Sequence, residues 1–403
     1  MTAATLIAPE DEGALVRAVA EAHEAGAPLL IRGNGTKESL GRPVQAAAVL
    51  TTRALSGITL HSPSELVVAA RAGTPVAEIE AALAAKGQHL IAEPPDLSAL
   101  TGPGEGPQTI GGVVACNLSG PRRIALGAMR DHVLGVRAVN GTGEVIRSGG
   151  RVLKNVTGLD LAKLLAGSRG TLAVLSEITL KVLPRPERTA TVMLRGLDPA
   201  RGIAALSAGL GSPFGVTGAA HLPAEAAARA SLGERAATLL RLEDFADFIP
   251  RRAAVLAAAL AAFGPAEILD EGTSLPLWRS VRDAAALGVG DGEAVWRASL
   301  RPSRGAAFAE AVSRAFPARF LFDWGGGLVW VVGPAVESAH RAVTEAVRSA
   351  QGTFWLVRAP AALRAAVPGL PEEPASLAAL TRRVKHAFDP KGILNPGRIF
   401  AGV

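Results

Sequence analysis

Tyrosine is absent from this chain of 403 residues, and aromatic residues make only 4% of it. A phenolic acid–base group and a tyrosine stacking platform are therefore excluded. Cysteine occurs once, as Cys116. One thiol can build neither a disulfide framework nor a cysteine-based metal site, and such usage fits a reducing compartment. No run of about 18 uncharged apolar residues occurs, because Arg and Glu interrupt the alanine-rich segments. The start, "MTAATLIAPEDEG", lacks a basic stretch leading into an apolar one, so no signal peptide is expected. The expected location is the cytoplasm, with any membrane contact made through partners. The net charge is +6, yet no block of five or six like charges appears. That disfavours a nucleic-acid arm and leaves a milder positive field able to draw small anions or an acidic partner.

What is present is apolar bulk. Hydrophobic residues reach 49%, enough for a large core, and the length suits two or three domains. Over residues 10–25, Leu15, Val16, Val19 and Ala22 recur at helical spacing, and Gly26 ends that helix. "PLLIRGNGTK" reads as a short strand running into a glycine-rich turn. "SELVVAARAGT" alternates like a strand, and "PVAEIEAALAAKG" reads as a helix with Pro75 in its first turn. Residues 109–183 read as short strands and turns. Asn140-Gly141 marks a hairpin, and "GTLAVLSEITLKVLP" reads as a buried strand pair. "PRPER" is a linker, after which strands alternate with alanine-rich helices to about residue 360. The expected class is α+β.

Two glycine-rich stretches carry the chemistry. In "IRGNGTK", Gly33, Asn34 and Gly35 tolerate positive φ and can turn successive N–H groups toward one concavity. Such a nest holds phosphate oxygens, with Arg32, Thr36 and Lys37 beside it; a plain strand-end turn would use the same residues. Neither a Walker A loop nor a G-x-G-x-x-G opening a helix is present. In "TIGGVVACNLSGPRR", Gly111 and Gly112 let a flat ligand lie against the main chain. Thr109, Asn117 and Ser119 can hydrogen-bond, and Arg122 and Arg123 suit a pyrophosphate. Further on, the strand after "RGT" could pair edge-on with a base.

"RGNGT", "TIGGVVACNLSG", "RDHVLGVRAVNGTGEVIRSGG", "KNVTGLDLAKLLAGSRGTLAVLSEITLKVLP" and "FDPKGILNPGR" together resemble the FAD-binding proteins of the vanillyl-alcohol oxidase type. "LWRSVRD", "WRASLRP", "FDWGGGLVWV" and "LVRAPAALRAAVPGL" resemble, more narrowly, the small FAD-binding subunit of bacterial glycolate oxidase. The resemblance implies a two-part FAD-binding domain over 1–186, an α+β cap over 187–380, and a segment 381–403 returning to the first domain. It implies that Gly33–Lys37 hold the pyrophosphate. Thr109, Ile110, Gly111, Gly112, Asn117 and Gly120 would follow the flavin and ribityl side. Gly170 and the backbone near Ile178 would meet the adenine, and Pro94 and Pro95 would lie near the ring. The loop has Asn34 where glycine is common, and it lacks the histidine that bonds flavin covalently in some relatives. Non-covalent FAD is expected.

Larger relatives that oxidise 2-hydroxy acids carry a histidine pair with an acidic neighbour, often metal-bound. Here the seven histidines are isolated, so no metal site is expected. Arg297 and Arg301 alternate with apolar residues on an expected cap strand, where they could bind a carboxylate or serve as surface salt-bridge partners. The resemblance then implies a subunit of a glycolate oxidase complex that relays electrons or supports a larger flavin subunit, alongside an iron–sulfur subunit. Two alternatives stand beside it: a self-sufficient oxidase of another hydroxy acid or sugar acid, and a structural subunit with a decayed cofactor site.

Overall fold

The computed structural model describes residues 5–102, 104–150 and 159–402. Three sheets follow one another along the chain. The first is parallel and small: β1 (Thr5–Ile7), β2 (Leu29–Arg32) and β3 (Ala48–Thr51), in the order β1-β3-β2. The helix Glu12–Ala25 lies between β1 and β2. Asp11 caps it by accepting from the Ala14 N–H, and Gly26 ends it at φ 60°. Of the stripe read from the spacing, Leu15, Val19 and Ala22 are buried, while Val16 is only partly so.

The second sheet is antiparallel, in the order β4-β5-β9-β7-β8. It comprises β4 (Ile58–Ser62), β5 (Val67–Arg71), β6 (Gln88–Leu90), β7 (Val133–Asn140), β8 (Val145–Gly149) and β9 (Ala173–Pro184), with β6 pairing the far end of β9. β7 and β8 form the hairpin expected at Asn140-Gly141. Three local expectations change. "AVLSEITLKVLP" is one strand of 12 residues rather than a pair, since no turn residue interrupts it. Pro75 is the cap of the helix Val76–Ala84 rather than part of its first turn. Ile110–Ala115 is a short helix rather than strand and turn. Its two glycines are poor helix formers, but a Cβ on Gly111 would lie 2.7 Å from the Ala72 carbonyl oxygen. Close backbone approach therefore overrides propensity here. The motif residues 154–158 lie outside the described residues.

The third sheet has eight antiparallel strands: β10 (Arg188–Arg195), β11 (Val216–Leu222), β12 (Ala237–Asp244), β13 (Ala266–Leu269), β14 (Glu293–Ser299), β15 (Arg319–Asp323), β16 (Leu328–Pro334) and β17 (Thr353–Arg358). Their order is β13-β10-β12-β11-β15-β16-β14-β17. On one face, Trp296, Val329, Val331 and Phe354 pack with Phe308, Val312 and Val343 of the helices Gly305–Ala315 and Glu337–Ser349. From the other face, Val295, Leu321, Trp330 and Val332 join the core of the second sheet. Residues that alternate along β14 thus face either the sheet's own helices or the N-terminal domain.

The chain end returns to the start. After the helix Ala375–Phe388, Leu394 bridges Leu29 of β2. The Lys385 ammonium donates to Asp389 Oδ2 at 2.7 Å and to the Thr171 and Leu394 carbonyls. Asp389 in turn accepts from the N–H groups of Ile393 and Leu394. This buried knot fixes Asn395, whose side chain bonds the Ile31 backbone and the Arg169 carbonyl.

Candidate functional site

β2 delivers Arg32–Lys37 to one wall of a cleft holding about 750 Å³ of empty space, its mouth included. Thr109, Gly111, Gly112 and Cys116 form a second wall, Arg169, Gly170 and Ala173–Leu175 a third, and Asn395 and Arg398 close it. The N–H groups of Gly33, Asn34, Gly35, Thr36 and Lys37 find no acceptor among the described residues. Those donors line a concavity, as an anion nest requires. Asn34 fixes the loop by donating to the Pro107 carbonyl at 2.8 Å and accepting from Glu105 N through its own carbonyl. Gly33 is required by space, because a Cβ there would come within 2.4 Å of Thr109 Oγ1.

The side-chain charges are distributed differently from the sequence expectation. Arg32 is ion-paired with Glu38 at 3.0 Å and with Glu105, so its charge is already answered. Lys37 instead is buried, donating to Thr36 Oγ1 and Gln108 Oε1 with no carboxylate in ion-pair range among the described residues. Burial pushes its ammonium below the usual lysine range. Arg169 and Arg398 are also buried in the cleft without an acid partner. Arg398 donates to the Lys37 carbonyl at 2.9 Å and is pushed down to about 10, chiefly by burial. The Nη1 of Arg169 has no partner at all among the described residues, and burial lowers its guanidinium too. Buried cations without counter-charges are costly unless an anion completes them. A dinucleotide with a diphosphate fits both the nest and these cations.

Other expected cofactor residues lie elsewhere. Ile178 sits mid-strand in β9, paired with Ala70 on one side and Val136 on the other, so its backbone is committed to the sheet. The β5–β9 ladder ends at the bond from Ala72 N to Ser176 O, and β9 lines the cleft only at Ala173–Leu175. The strand edge facing the cleft is thus three residues or more before Ile178. Ile110 is a core residue with its N–H bonded to the Thr74 carbonyl. Asn117 takes φ 48° and accepts from Arg130 N, away from the cleft walls. Pro95 is buried outside them, and Gly120 packs against Glu93 and Arg282, where a Cβ would meet the Glu93 carbonyl at 2.2 Å.

Arg122 does not serve a phosphate. It forms a two-pronged pair with Glu243 of β12, while Arg241 of the same strand forms another with Glu93. This buried network ties Glu93 and Arg122, from the segments beside the second sheet, to the third sheet. Glu243 is held down at about 2: burial opposes its charge, but Arg241 and Arg122 outweigh it. Arg297 and Arg301 separate. β14 ends at Ser299, leaving Arg301 exposed in the following turn, whereas Arg297 is half-buried on the face toward the cleft. Trp324, which begins the tight turn between β15 and β16, donates to the Gly120 carbonyl at 3.1 Å. No group of three or more His, Cys, Asp or Glu capable of holding a metal occurs among the described residues.

Comparison with known proteins decides the family. The FAD binding domain family matches residues 3–149, and the C-terminal domain family of FAD linked oxidases matches 371–399. Glycolate oxidase subunit GlcE of Escherichia coli (strain K12) is 34% identical over 395 residues, 96% of this chain and 97% of that one. This chain belongs to the GlcE family of FAD-linked oxidases. It is an FAD-binding oxidoreductase subunit. Glycolate oxidase subunit GlcD of Bacillus subtilis (strain 168) is 31% identical over 189 residues, 47% of this chain and 38% of its own length. In solved structures, 4-ethylphenol oxidase from Gulosibacter chungangensis has a TM-score of 0.72 at 14% identity, covering 98% of this chain and 89% of that one. That likeness confirms the vanillyl-alcohol oxidase type of fold. Arg169, Arg398 and Asn395 went unread in the sequence, although "SRG" and "NPGR" lie inside motifs that carried the resemblance. Arginines are common, and only the fold shows which lack a counter-ion.

Proposed function

We propose that this chain is the FAD-carrying subunit of a glycolate oxidase assembly that passes electrons, or braces the assembly, while a larger flavin subunit oxidises glycolate. The observation that carries this reading is the lining of the cleft. It presents cations, backbone donors and glycines, and no histidine. Removing a hydroxyl proton from a 2-hydroxy acid needs a placed base. The candidates sit elsewhere: His132 is buried at the end of the helix Met129–His132, and His221 is enclosed within the third sheet. When bound, FAD supplies electron uptake and release. The chain's own contribution is to hold the diphosphate at Gly33–Lys37, with Lys37, Arg169 and Arg398 as counter-charges. It also covers the cofactor with the third sheet. The glycines and the absence of covalent partners in the loop favour non-covalent FAD. An iron–sulfur subunit is the proposed electron acceptor. The proposed location is cytoplasmic, reaching a membrane only through the assembly, since no helix among the described residues is long and apolar enough to cross one.

The test is an anaerobic visible spectrum of the FAD-loaded chain before and after glycolate. The expected flavin spectrum stays oxidised with the chain alone and bleaches once the larger subunit is added. Bleaching by the isolated chain would overturn the division of labour in favour of a self-sufficient oxidase. A chain that cannot take up FAD would favour the decayed site.

A further inference from the structure

The third sheet carries a row of side chains that electron relay does not explain. On β14, Arg297 stands directly opposite Trp330 of β16 and Trp355 of β17. Its guanidinium carbon lies 5.7 Å and 5.6 Å from those two ring centres, and 4.8 Å from that of Trp324. Arg123 approaches Trp324 at 4.5 Å, and Arg169 approaches Trp355 at 4.1 Å from the cleft wall. Three guanidinium groups therefore converge among three indoles. The guanidinium of neither Arg123 nor Arg297 donates a hydrogen bond to any described residue, and none of the three has an acid within ion-pair distance among them.

The stacking geometry says what such groups are free to do. Cation–π contact uses the flat face of a guanidinium and leaves its in-plane N–H edge open. That edge matches a carboxylate with two parallel hydrogen bonds. Asp323 is the acid whose charge acts on Arg297; it is buried at the end of β15 and, among the described residues, its side chain accepts only from the Trp324 N–H at 2.7 Å, while Asp131, paired with Arg130, acts on Arg123. The charge count then points beyond the cofactor. Lys37, Arg169 and Arg398 in the cleft, with Arg123 and Arg297 beside it, are five cations without ion-paired acids. A diphosphate brings about two negative charges at neutral pH and Asp323 at most one; Asp131, Asp96 and Glu38 act on Arg123, Lys37 and Arg398 only from beyond ion-pair distance, which leaves a surplus of two with no acid in contact.

We infer that the Arg123–Arg169–Arg297 cluster, walled by Trp324, Trp330 and Trp355, is a binding site for a compact dicarboxylate anion. The inference rests on the FAD reading of the cleft only through the charge count. Repulsion among the three guanidiniums supports it, since burial and Arg123 together push Arg297 down to about 9, still cationic at neutral pH. Such an anion would neutralise the surplus and bridge the cap sheet to the cleft wall.

Oxalate, which offers two carboxylates and no oxidisable C–H bond, is the probe. It is titrated into the FAD-loaded chain at constant ionic strength while tryptophan emission is read; three of the five tryptophans wall the site. The expected result is a saturable change that weakens at least tenfold in Arg297→Met and in Arg123→Met. Arg297→Lys should recover part of it, and Arg301→Gln should leave it unchanged. Glycolate should bind at least tenfold more weakly than oxalate. Three results would overturn the proposal: no saturable change, an equal response to chloride, or glycolate binding as tightly as oxalate. If Arg297→Met does not fold, Arg297→Lys and Arg123→Met carry the test. The flavin absorption band reads cofactor binding separately, so loss of FAD and loss of the anion site are distinguishable.

Discussion

At the scale of single residues, the cleft is built from side chains left out as much as from those present. Gly33 has no Cβ because Thr109 Oγ1 occupies that space, and the same oxygen accepts from Gly112 N at 3.3 Å to start the helix Ile110–Ala115. Adding one methyl group should displace Thr109 and tilt the nest. Overpacking of this kind costs about 1–3 kcal/mol. Gly33→Ala is expected to lower the melting temperature modestly and FAD affinity by tenfold or more. Flavin retained per chain after gel filtration, with circular dichroism as the check on folding, measures both. The glycine pattern was legible in the sequence. The reason for Gly33 in particular was not, because Thr109 lies far along the chain.

At the scale of elements, the C-terminal segment completes the cleft from a distance. Asn395 and Arg398 are positioned by the Lys385–Asp389 pair, in which both groups are nearly inaccessible to solvent. Removing one partner leaves a buried charge uncompensated and two carbonyls without their donor. Lys385→Met is therefore expected to destabilise the protein by about 3–5 kcal/mol. Because the segment also supports β2, FAD binding should fall with it. Urea unfolding of Lys385→Met beside Lys385→Met/Asp389→Asn checks the cause: the double variant should recover much of the loss. The helix end is marked in the sequence, where "TRRVKHAF" runs into Asp389-Pro390. Its lysine was not distinguishable from a surface lysine, since helical spacing alone does not show what covers a face.

At the scale of the whole molecule, the second and third sheets are joined by buried charge, and buried histidines sit in the third sheet at His221 and on the helix packed against it at His340. Burial pushes His221 and His340 down to about 4, from an ordinary value of 6.5. Both are neutral in the folded state above that range; His340 Nδ1 accepts from the Trp296 indole N–H at 3.2 Å, which requires the neutral ring. The unfolded chain takes up protons near pH 6.5 and the folded chain does not. Stability should therefore decline as pH falls from about 6.5 toward 4, at up to about 1.4 kcal/mol per pH unit per histidine. Glu243, held at about 2, keeps its ion pairs throughout that window and adds its own loss only below the ordinary glutamate range. Urea midpoints measured across the window, compared with those of His340→Gln, test the assignment; the variant should show a shallower slope.

The sequence by itself determined most of the sheet-forming segments and the glycine-rich loop after β2, and through its resemblance to a known family the FAD cofactor. These depend on local rules: apolar alternation in strands, spacing within short motifs, and glycine where φ turns positive, as at Gly35 with φ 75°, whereas Gly33 and Asn34, expected to share that freedom, do not use it. It could not determine which charges stay unanswered. Arg32 and Lys37 stand five positions apart in one loop, yet Glu105, brought across from another loop, neutralises the first and leaves the second bare. Arg122 was read toward a phosphate and pairs instead with Glu243, 121 residues away. Arg297 and Arg301 shared a pattern, and the end of β14 at Ser299 divided them. Counter-ions, strand ends and the facing of a sheet are set by long-range packing, so only the tertiary structure decided where the protein holds positive charge in reserve.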